Sequence, residues 1–430
     1  MKEYKVGILG FGTVGAGVAD CLLNNAEVIA KRTGVKPVLT GIADLDIKTD
    51  RGVKVPREIL TTDASELIHR VDVVVELIGG TTVAKKFILQ ALGEGKSVVT
   101  ANKALLAEAG EELFAAAEKN HADLFYEASV GGGIPIIKSL REGFAGNRIS
   151  RIYGILNGTC NYILTRMERE EIDFAPVLKD AQQLGYAEAN PSLDIDGFDT
   201  AHKAAILAAL AYGKWFGMDP IYVQGIREVS LADIKFAGEL GYKIKLLAIL
   251  KQDAENKVEI RVHPTMIPKR TQLAMIDEVF NGVMVTGDYV GDTLFYGRGA
   301  GRSATASAVV SDIVDIGLNL AHQATRRVSS FREGPQFSGV VKMDEVKSRY
   351  YLRIQVLDIP GVLAKVTRIL GENDISISSL VQREGQSQSN VSLLIITHQT
   401  QEKHIKAAIR QINALSEVRD TVKLIRIEDI

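Results

Sequence analysis

Apolar and polar positions follow two rhythms along this chain. Over the first third, short solid apolar runs are separated by stretches of helical period, the pattern of buried parallel strands joined by helices. Tyr4 to Leu9, PVLTGIAD ending at Asp44, VDVVVELIGG, SVVT ending at Thr100 and ADLFYEAS read as strands. VADCLLNN and a segment over about 83–94 read as helices. From Arg148 the texture changes: RISRIYGIL, KVEIRVHP, GVMVTGDY and DTLFYG alternate as strands of a partly antiparallel sheet do. Two helices interrupt them, DFAPVLKDAQQLG closed by Gly185 and DTAHKAAILAALAYG. A longer one, SATASAVVSDIVDIGLNLAH, is expected to pack back on the first sheet.

Beyond a polar, weakly periodic linker, 327–347, the pattern resumes as a compact unit. YYLRIQVLD, VLAKVTRILGEN, ISISSLVQRE, SNVSLLIITH, a helix over about 401–415 and VKLIRIED give the order βαββαβ. The prediction is an α/β protein of three parts. A Rossmann-type nucleotide domain takes 1–133 plus about 303–326, an α+β substrate and dimerisation domain 134–302, and the βαββαβ unit 348–430.

Composition narrows the class. The chain has 430 residues, too many for one ordinary core. Its 51 basic and 53 acidic side chains nearly cancel, so nothing points to nucleic acid or an anionic membrane, while small charged ligands stay open. Cys21 and Cys160 form neither a disulfide framework nor a metal cluster, which suits a reducing, cytoplasmic setting. No leader is expected, and no apolar run is expected to reach the ~18 residues of a membrane span.

Candidate chemistry sits at the punctuation. The first strand runs into Gly10-Phe11-Gly12-Thr13-Val14-Gly15 and then a helix, the context in which glycines admit a pyrophosphate to a helix N-terminus. Asp44, at the end of the second strand, is expected to accept hydrogen bonds from the ribose hydroxyls of NAD; Lys48 and Arg51 lie close enough to reach the extra phosphate of NADP, so both cofactors stay open. Thr100 and Lys103 lie at a strand's carboxyl end, where open α/β sheets bind ligands. Gly297-Arg298-Gly299-Ala300-Gly301-Arg302 is a second glycine-rich loop before a helix. AQQLGYAEANPSLDIDGFDTAHK, from Ala181 to Lys203, gathers Glu188, Asp194, Asp196, Asp199 and Lys203, the last two four apart on one helix face. Taken alone, that pair reads better as an ordinary surface ion pair.

The whole segment is similar to the signature of homoserine dehydrogenases: Ala181, then Gly185-Tyr186-Ala187, Asn190-Pro191, Asp194-Ile195, Gly197, Asp199 and Lys203 all match. The resemblance extends to the nucleotide fingerprint, to Asn102-Lys103 and to Asn157-Gly158-Thr159. It implies NAD(P)-dependent interconversion of L-aspartate 4-semialdehyde and L-homoserine, a step towards threonine, methionine and isoleucine. With the first strand starting so close to Met1, it also implies a monofunctional form without a fused kinase. A metal-free alcohol oxidation needs a group to exchange the hydroxyl proton, and a lysine whose burial lowers its pKa can do so. Lys203 is the candidate; Asp199 would orient it, with Lys103 beside nicotinamide and substrate. Glu188 would bind the substrate ammonium, with Asp194, Asn157, Gly158 and Thr159 in the substrate shell. Gly185 and Gly301 are expected near the cofactor. His202 points about 100° away from Lys203 on an ideal helix and is expected to be structural.

The family further implies a monovalent cation, usually sodium, held by Glu127 and the carbonyls of Val130, Gly132 and Ile134. The carboxyl-terminal unit, with its DxPG turn, resembles an ACT domain. Such modules bind small amino acids between paired copies, which implies a homodimer or homotetramer, an effector near Asp358, Gly361, Asn373 and Ile375, and threonine as the first candidate. Two other readings stand: a Rossmann oxidoreductase with another hydroxy or amino acid substrate, and an inactive cofactor-bound sensor. Substrate profiling separates the first; an intact Lys103, Glu188, Asp199 and Lys203 argues against the second.

Overall fold

The computed structural model describes residues 2–325, 327, 337–387 and 390–430. The first sheet is built from β1 (Lys2–Leu9), β2 (Val35–Ala43), β3 (Leu60–Thr61), β4 (Val73–Glu76), β5 (Ser97–Thr100) and β6 (Leu124–Phe125). Its order is β3-β2-β1-β4-β5-β6 and every pair is parallel, which requires crossovers. The crossing helices include α1 (Thr13–Thr33), α2 (Ala64–Arg70), α3 (Thr82–Gly93) and α4 (Lys103–Lys119). Gly34, left-handed at φ 78°, ends α1 by donating its N–H to Ala30. Asp63 and Asn102 cap α2 and α4 through the amides of Glu66 and Leu105. Sequence reading missed β3 and α2, both too short to show a period.

After a turn, α5 (Ile136–Lys138), the chain enters the second sheet with β7 (Ile149–Ile155), then α6 (Gly158–Glu170), α7 (Phe174–Gln183), α8 (Ser192–Ile195) and α9 (Phe198–Tyr212). Next come β8 (Tyr222–Val223), α10 (Leu231–Glu239), β9 (Tyr242–Gln252), β10 (Lys257–Pro268), β11 (Phe280–Gly287) and β12 (Gly291–Arg298). β9 was not predicted, yet it lies at the sheet's centre between β7 and β10. Its run KIKLLAILK is buried on both faces, so it shows no alternation. α6 and α10 were also missed; Asn157 caps α6, and Gly158 and Thr159 are its first residues.

α11 (Arg302–Ala321) is long and apolar enough to cross a membrane by length and composition, contrary to the sequence expectation. In this fold it packs on α1 and β2. Its buried Asp312, Asp315 and Asn319 meet the Glu127 amide, Lys138 and Asp123. The linker expected over 327–347 lies outside the described residues at 328–336. Its later part adds β13 (Gly339–Val340) to β10.

The last unit has the expected order with one short strand, β17, added: β14 (Lys347–Leu357), α12 (Val362–Glu372), β15 (Ile377–Ser387), β16 (Asn390–Thr397), β17 (Thr400–Gln401), α13 (Glu402–Asn413) and β18 (Lys423–Ile427). It is not a separate bead. β18 pairs with β10 at Thr265–Arg426 and Met266–Ile427, so one 12-stranded sheet runs from β12 to β15.

Candidate active site

The nucleotide end is shaped by close backbone approach. Gly10 has φ +100°, and a Cβ there would lie 2.5 Å from the Leu77 carbonyl oxygen; one on Gly15 would lie 2.0 Å from the Gly10 oxygen. The glycine turn therefore hugs the sheet and leaves the α1 N-terminus, with exposed Gly12 and Thr13, open to an anion. These residues fit a dinucleotide pyrophosphate. Asp44 has a structural task as well: its two oxygens accept the amides of Phe11 at 2.5 Å and Asp46 at 2.8 Å, so the carboxylate braces the glycine turn. Arg51, ion-paired to Asp46 at 3.1 Å, stands next to it, and Arg302 donates to the Arg51 carbonyl. Thr100 is likewise inward, donating to buried Glu76 at 2.7 Å and accepting from the Asn102 amide.

A cleft of about 630 Å³ opens where the two sheets meet. Val14, Lys103, Gly132, Asn157, Gly158 and Thr159 line it, together with Gly185, Glu188, Asp194, Asp199, Lys203 and Gly301. Residues remote in sequence thus converge, because α4, α6, α8 and α9 all begin at this junction. Lys203 Nζ lies 2.7 Å from Asp199 Oδ2 and donates to the Leu156 carbonyl at 2.6 Å. Lys103 meets the other Asp199 oxygen at 3.2 Å. The Asn157 amide donates to Asp199 at 2.8 Å and Asp194 at 2.7 Å, while its oxygen caps α6 through the Cys160 amide. The Asn157 side chain is thus the connector between the two carboxylates. Burial alone would raise the Asp199 carboxyl, but Lys203, Lys103 and Asn157 outweigh it and hold it well below the usual range. Asp194, held between burial and the Asp199 charge, is raised. Burial lowers His202, which keeps it neutral beside the cluster.

The reading from sequence did not find Ser129, Val279 and Thr305, which also line the cleft and carry no local signal. Arg298, Gly299 and Ala300 were seen only as a loop. Gly132 and Gly299 press together, since a Cβ on Gly132 would lie 2.5 Å from the Gly299 carbonyl. The Gly133 amide donates to the Arg298 carbonyl at 3.1 Å. Behind them, Glu127 is buried and accepts the amides of Ile137 and Lys138; burial pushes it up to about 7. Among the described residues no cluster of three His, Cys, Asp or Glu side chains could hold a metal. A cation here would depend on Glu127 and main-chain oxygens, an all-oxygen donor set of the kind hard cations take.

In the last unit a pocket of about 360 Å³ is lined by Asp358, Gly361 and Gln382. Asn373 and Ile375 do not line it; the 11-residue α12 separates them from Gly361. Asn373 instead closes α12 by donating to the Ile369 carbonyl.

Comparison with known proteins agrees with this geometry. Residues 10–127 match the profile "Homoserine dehydrogenase, NAD binding domain", 135–314 match "Homoserine dehydrogenase", and 350–417 match "ACT domain". The chain is 46% identical to the homoserine dehydrogenase of Neisseria gonorrhoeae and 43% identical to that of Pseudomonas aeruginosa, over 100% of both chains in each case. The crystal structure of a homoserine dehydrogenase from Thiobacillus denitrificans superposes with a TM-score of 0.94 at 44% identity, covering 100% of this chain and 99% of that one. A hyperthermophilic archaeal homoserine dehydrogenase in complex with NADPH is 30% identical over 74% of this chain and 98% of its own, with a TM-score of 0.61. With a dinucleotide cradle, a paired lysine at the sheet junction and full-length likeness of this degree, the chain belongs to the homoserine dehydrogenase family and is an oxidoreductase acting on a CH–OH group.

Proposed function

We propose that Lys203 exchanges the hydroxyl proton as L-homoserine and L-aspartate 4-semialdehyde interconvert. The observation that carries this is the Lys203 ammonium, held between Asp199 at 2.7 Å and the Leu156 carbonyl at 2.6 Å on the wall of the cleft. A bound nicotinamide dinucleotide supplies the hydride acceptor or donor. Asp199 keeps Lys203 and Lys103 at one place, so both cations face the oxygen that gains or loses its proton. Asp194 and Glu188 take the substrate ammonium, and the first turn of α6 at Gly158 and Thr159 takes its carboxylate. Gly185 and Gly301 border the nicotinamide side.

Both NAD and NADP are accepted in this reading: Asp44 braces the turn as well as facing the ribose, and Arg51, ion-paired to Asp46 close by in the chain, is the cation a 2′-phosphate would meet. Glu127 with the carbonyls of Val130, Gly132 and Ile134 would hold sodium, whose charge would stabilise a buried carboxylate and stiffen the loop under Arg298 and Gly299. The pocket at Asp358 and Gly361, at the N-terminus of α12, would take the carboxylate of an amino-acid effector, threonine first among those to try. Exposed Tyr289 and Val290 in the turn between β11 and β12, and Tyr296 on β12, the sheet's free edge, support a homo-oligomer. Free Cys21 and Cys160 support a reducing, cytoplasmic compartment. The domain boundaries follow the same reading: 1–133 with about 303–326, 134–302 and 348–430.

The test is dinucleotide reduction with purified protein, L-homoserine, and NAD or NADP in parallel, with sodium present. Rapid reduction is expected with homoserine. No reduction from a folded, dinucleotide-binding protein would sink the proposal and favour another substrate.

A further inference from the structure

The segment Tyr222 to Arg227 connects the carboxyl-terminal unit to the cleft. At one end, buried Arg426 on β18 donates to Gln224 Oε1 at 2.9 Å and to the Tyr222 hydroxyl at 3.1 Å. The same guanidinium is anchored by Glu402 on α13. In the middle, the Gln224 amide donates to the Val262 carbonyl at 2.8 Å, fixing the segment to β10. Gly225 lies against α8: a Cβ there would stand 2.1 Å from the Ile195 carbonyl oxygen and 2.4 Å from Asp196 Cα. The Ile226 amide then donates to that Ile195 carbonyl at 2.8 Å. At the far end, the Arg227 guanidinium grips both oxygens of Asp196 and also reaches Ser192 Oγ at 3.0 Å.

α8 is a four-residue turn with no side-chain cap, too short to hold its own shape. It carries Asp194, whose position relative to Asn157 and Asp199 the cleft requires. We propose that Arg227 and Arg426 are positioning residues for Asp194, acting through the strap Tyr222–Arg227, so that the carboxyl-terminal unit sets substrate affinity by way of α8. Neither arginine lines the cleft. A backbone-to-backbone contact such as Gly225 on Ile195 has no slack, so displacement at Arg426 passes to α8 instead of being absorbed by side-chain rotation. The inference rests on the assignment of Asp194 to the substrate site.

The test compares Arg227→Met, Arg227→Lys, Gln224→Met and Asp194→Asn in the full chain, measuring KM for homoserine at saturating dinucleotide and KM for dinucleotide at saturating homoserine. Arg227 is half-exposed, and Gln224→Met leaves the Arg426–Glu402 pair intact, so both variants are expected to fold. Homoserine KM should rise about tenfold in Arg227→Met and Gln224→Met, with dinucleotide KM unchanged and partial rescue in Arg227→Lys. An equal rise in both KM values, or none in either, while Asp194→Asn does raise homoserine KM, would overturn the positioning role alone. An unaltered homoserine KM in Asp194→Asn would overturn the substrate reading, and the inference with it.

Discussion

Asp199 receives charge from both sides and a hydrogen bond from Asn157, and this asymmetry decides how its neighbours tolerate change. Breaking a buried ion pair usually costs about 3–5 kcal/mol, mostly through the stranded partner. Lys203→Met leaves no charge stranded, because Lys103 and Asn157 still satisfy the carboxylate, and costs only the hydrogen bond to the Leu156 carbonyl. Turnover should vanish while dinucleotide binding, followed by fluorescence titration, stays near normal; turnover close to that of the parent would move the proton role elsewhere. The depressed carboxyl also has a pH signature. Stability from a carboxyl held below its ordinary 3.8 is fully present above that value and is lost as pH falls through the lowered one. Melting temperature should therefore fall less steeply below pH 3.8 in Asp199→Asn than in the parent protein. In the loop after β2, Arg51→Ala should lower kcat/KM with NADP about tenfold relative to NAD. An unchanged ratio would remove Arg51 from cofactor choice.

At the scale of elements, the cleft is made by helix starts and glycine loops. The glycine fingerprint and the segment from Ala181 to Lys203 were legible because their chemistry is local: a turn needing a positive φ, an acid and a lysine one helical turn apart. β9 was not legible, since a strand buried on both faces has lost the alternation that marks a strand. Nor was the role of Asp44, whose partners on the glycine turn are set by the β1–β2 register. The contact of Gly132 with Gly299 has a direct test. Gly132→Ala must fit a Cβ 2.5 Å from the Gly299 carbonyl at a φ of +57°. It should lower kcat/KM about tenfold or more, whereas Gly143→Ala, with open space around it, should be silent. Equal activity of the two variants would show that the loops move independently.

On the scale of the whole molecule, the carboxyl-terminal unit is part of the catalytic unit's fabric. Arg261, buried in β10, is paired with Glu428 at 2.5 Å, and Arg353 on β14 with Asp233 at 2.7 Å. Truncation before Lys347 removes Glu428 and Arg353 together, and so strands Arg261 and Asp233. Each stranded buried partner costs about 3–5 kcal/mol, so the shortened chain should melt well below the full chain or aggregate, as read by thermal scanning and size-exclusion chromatography. A truncated chain with the parent's melting temperature would mean that the shared sheet is dispensable.

The sequence by itself determined the nucleotide fingerprint, the order of the last unit and the acid–lysine segment, because each is encoded within a few residues' reach of backbone and side chain. Only the tertiary structure decided that Asn157 bridges Asp194 and Asp199, that Thr100 and Asp44 turn inward, that Asn373 and Ile375 stand apart from Gly361, and that β18 completes the substrate sheet. Those facts depend on which strand lies beside which. Pairing across hundreds of residues is chosen by the packing of complete surfaces, and no local pattern records it.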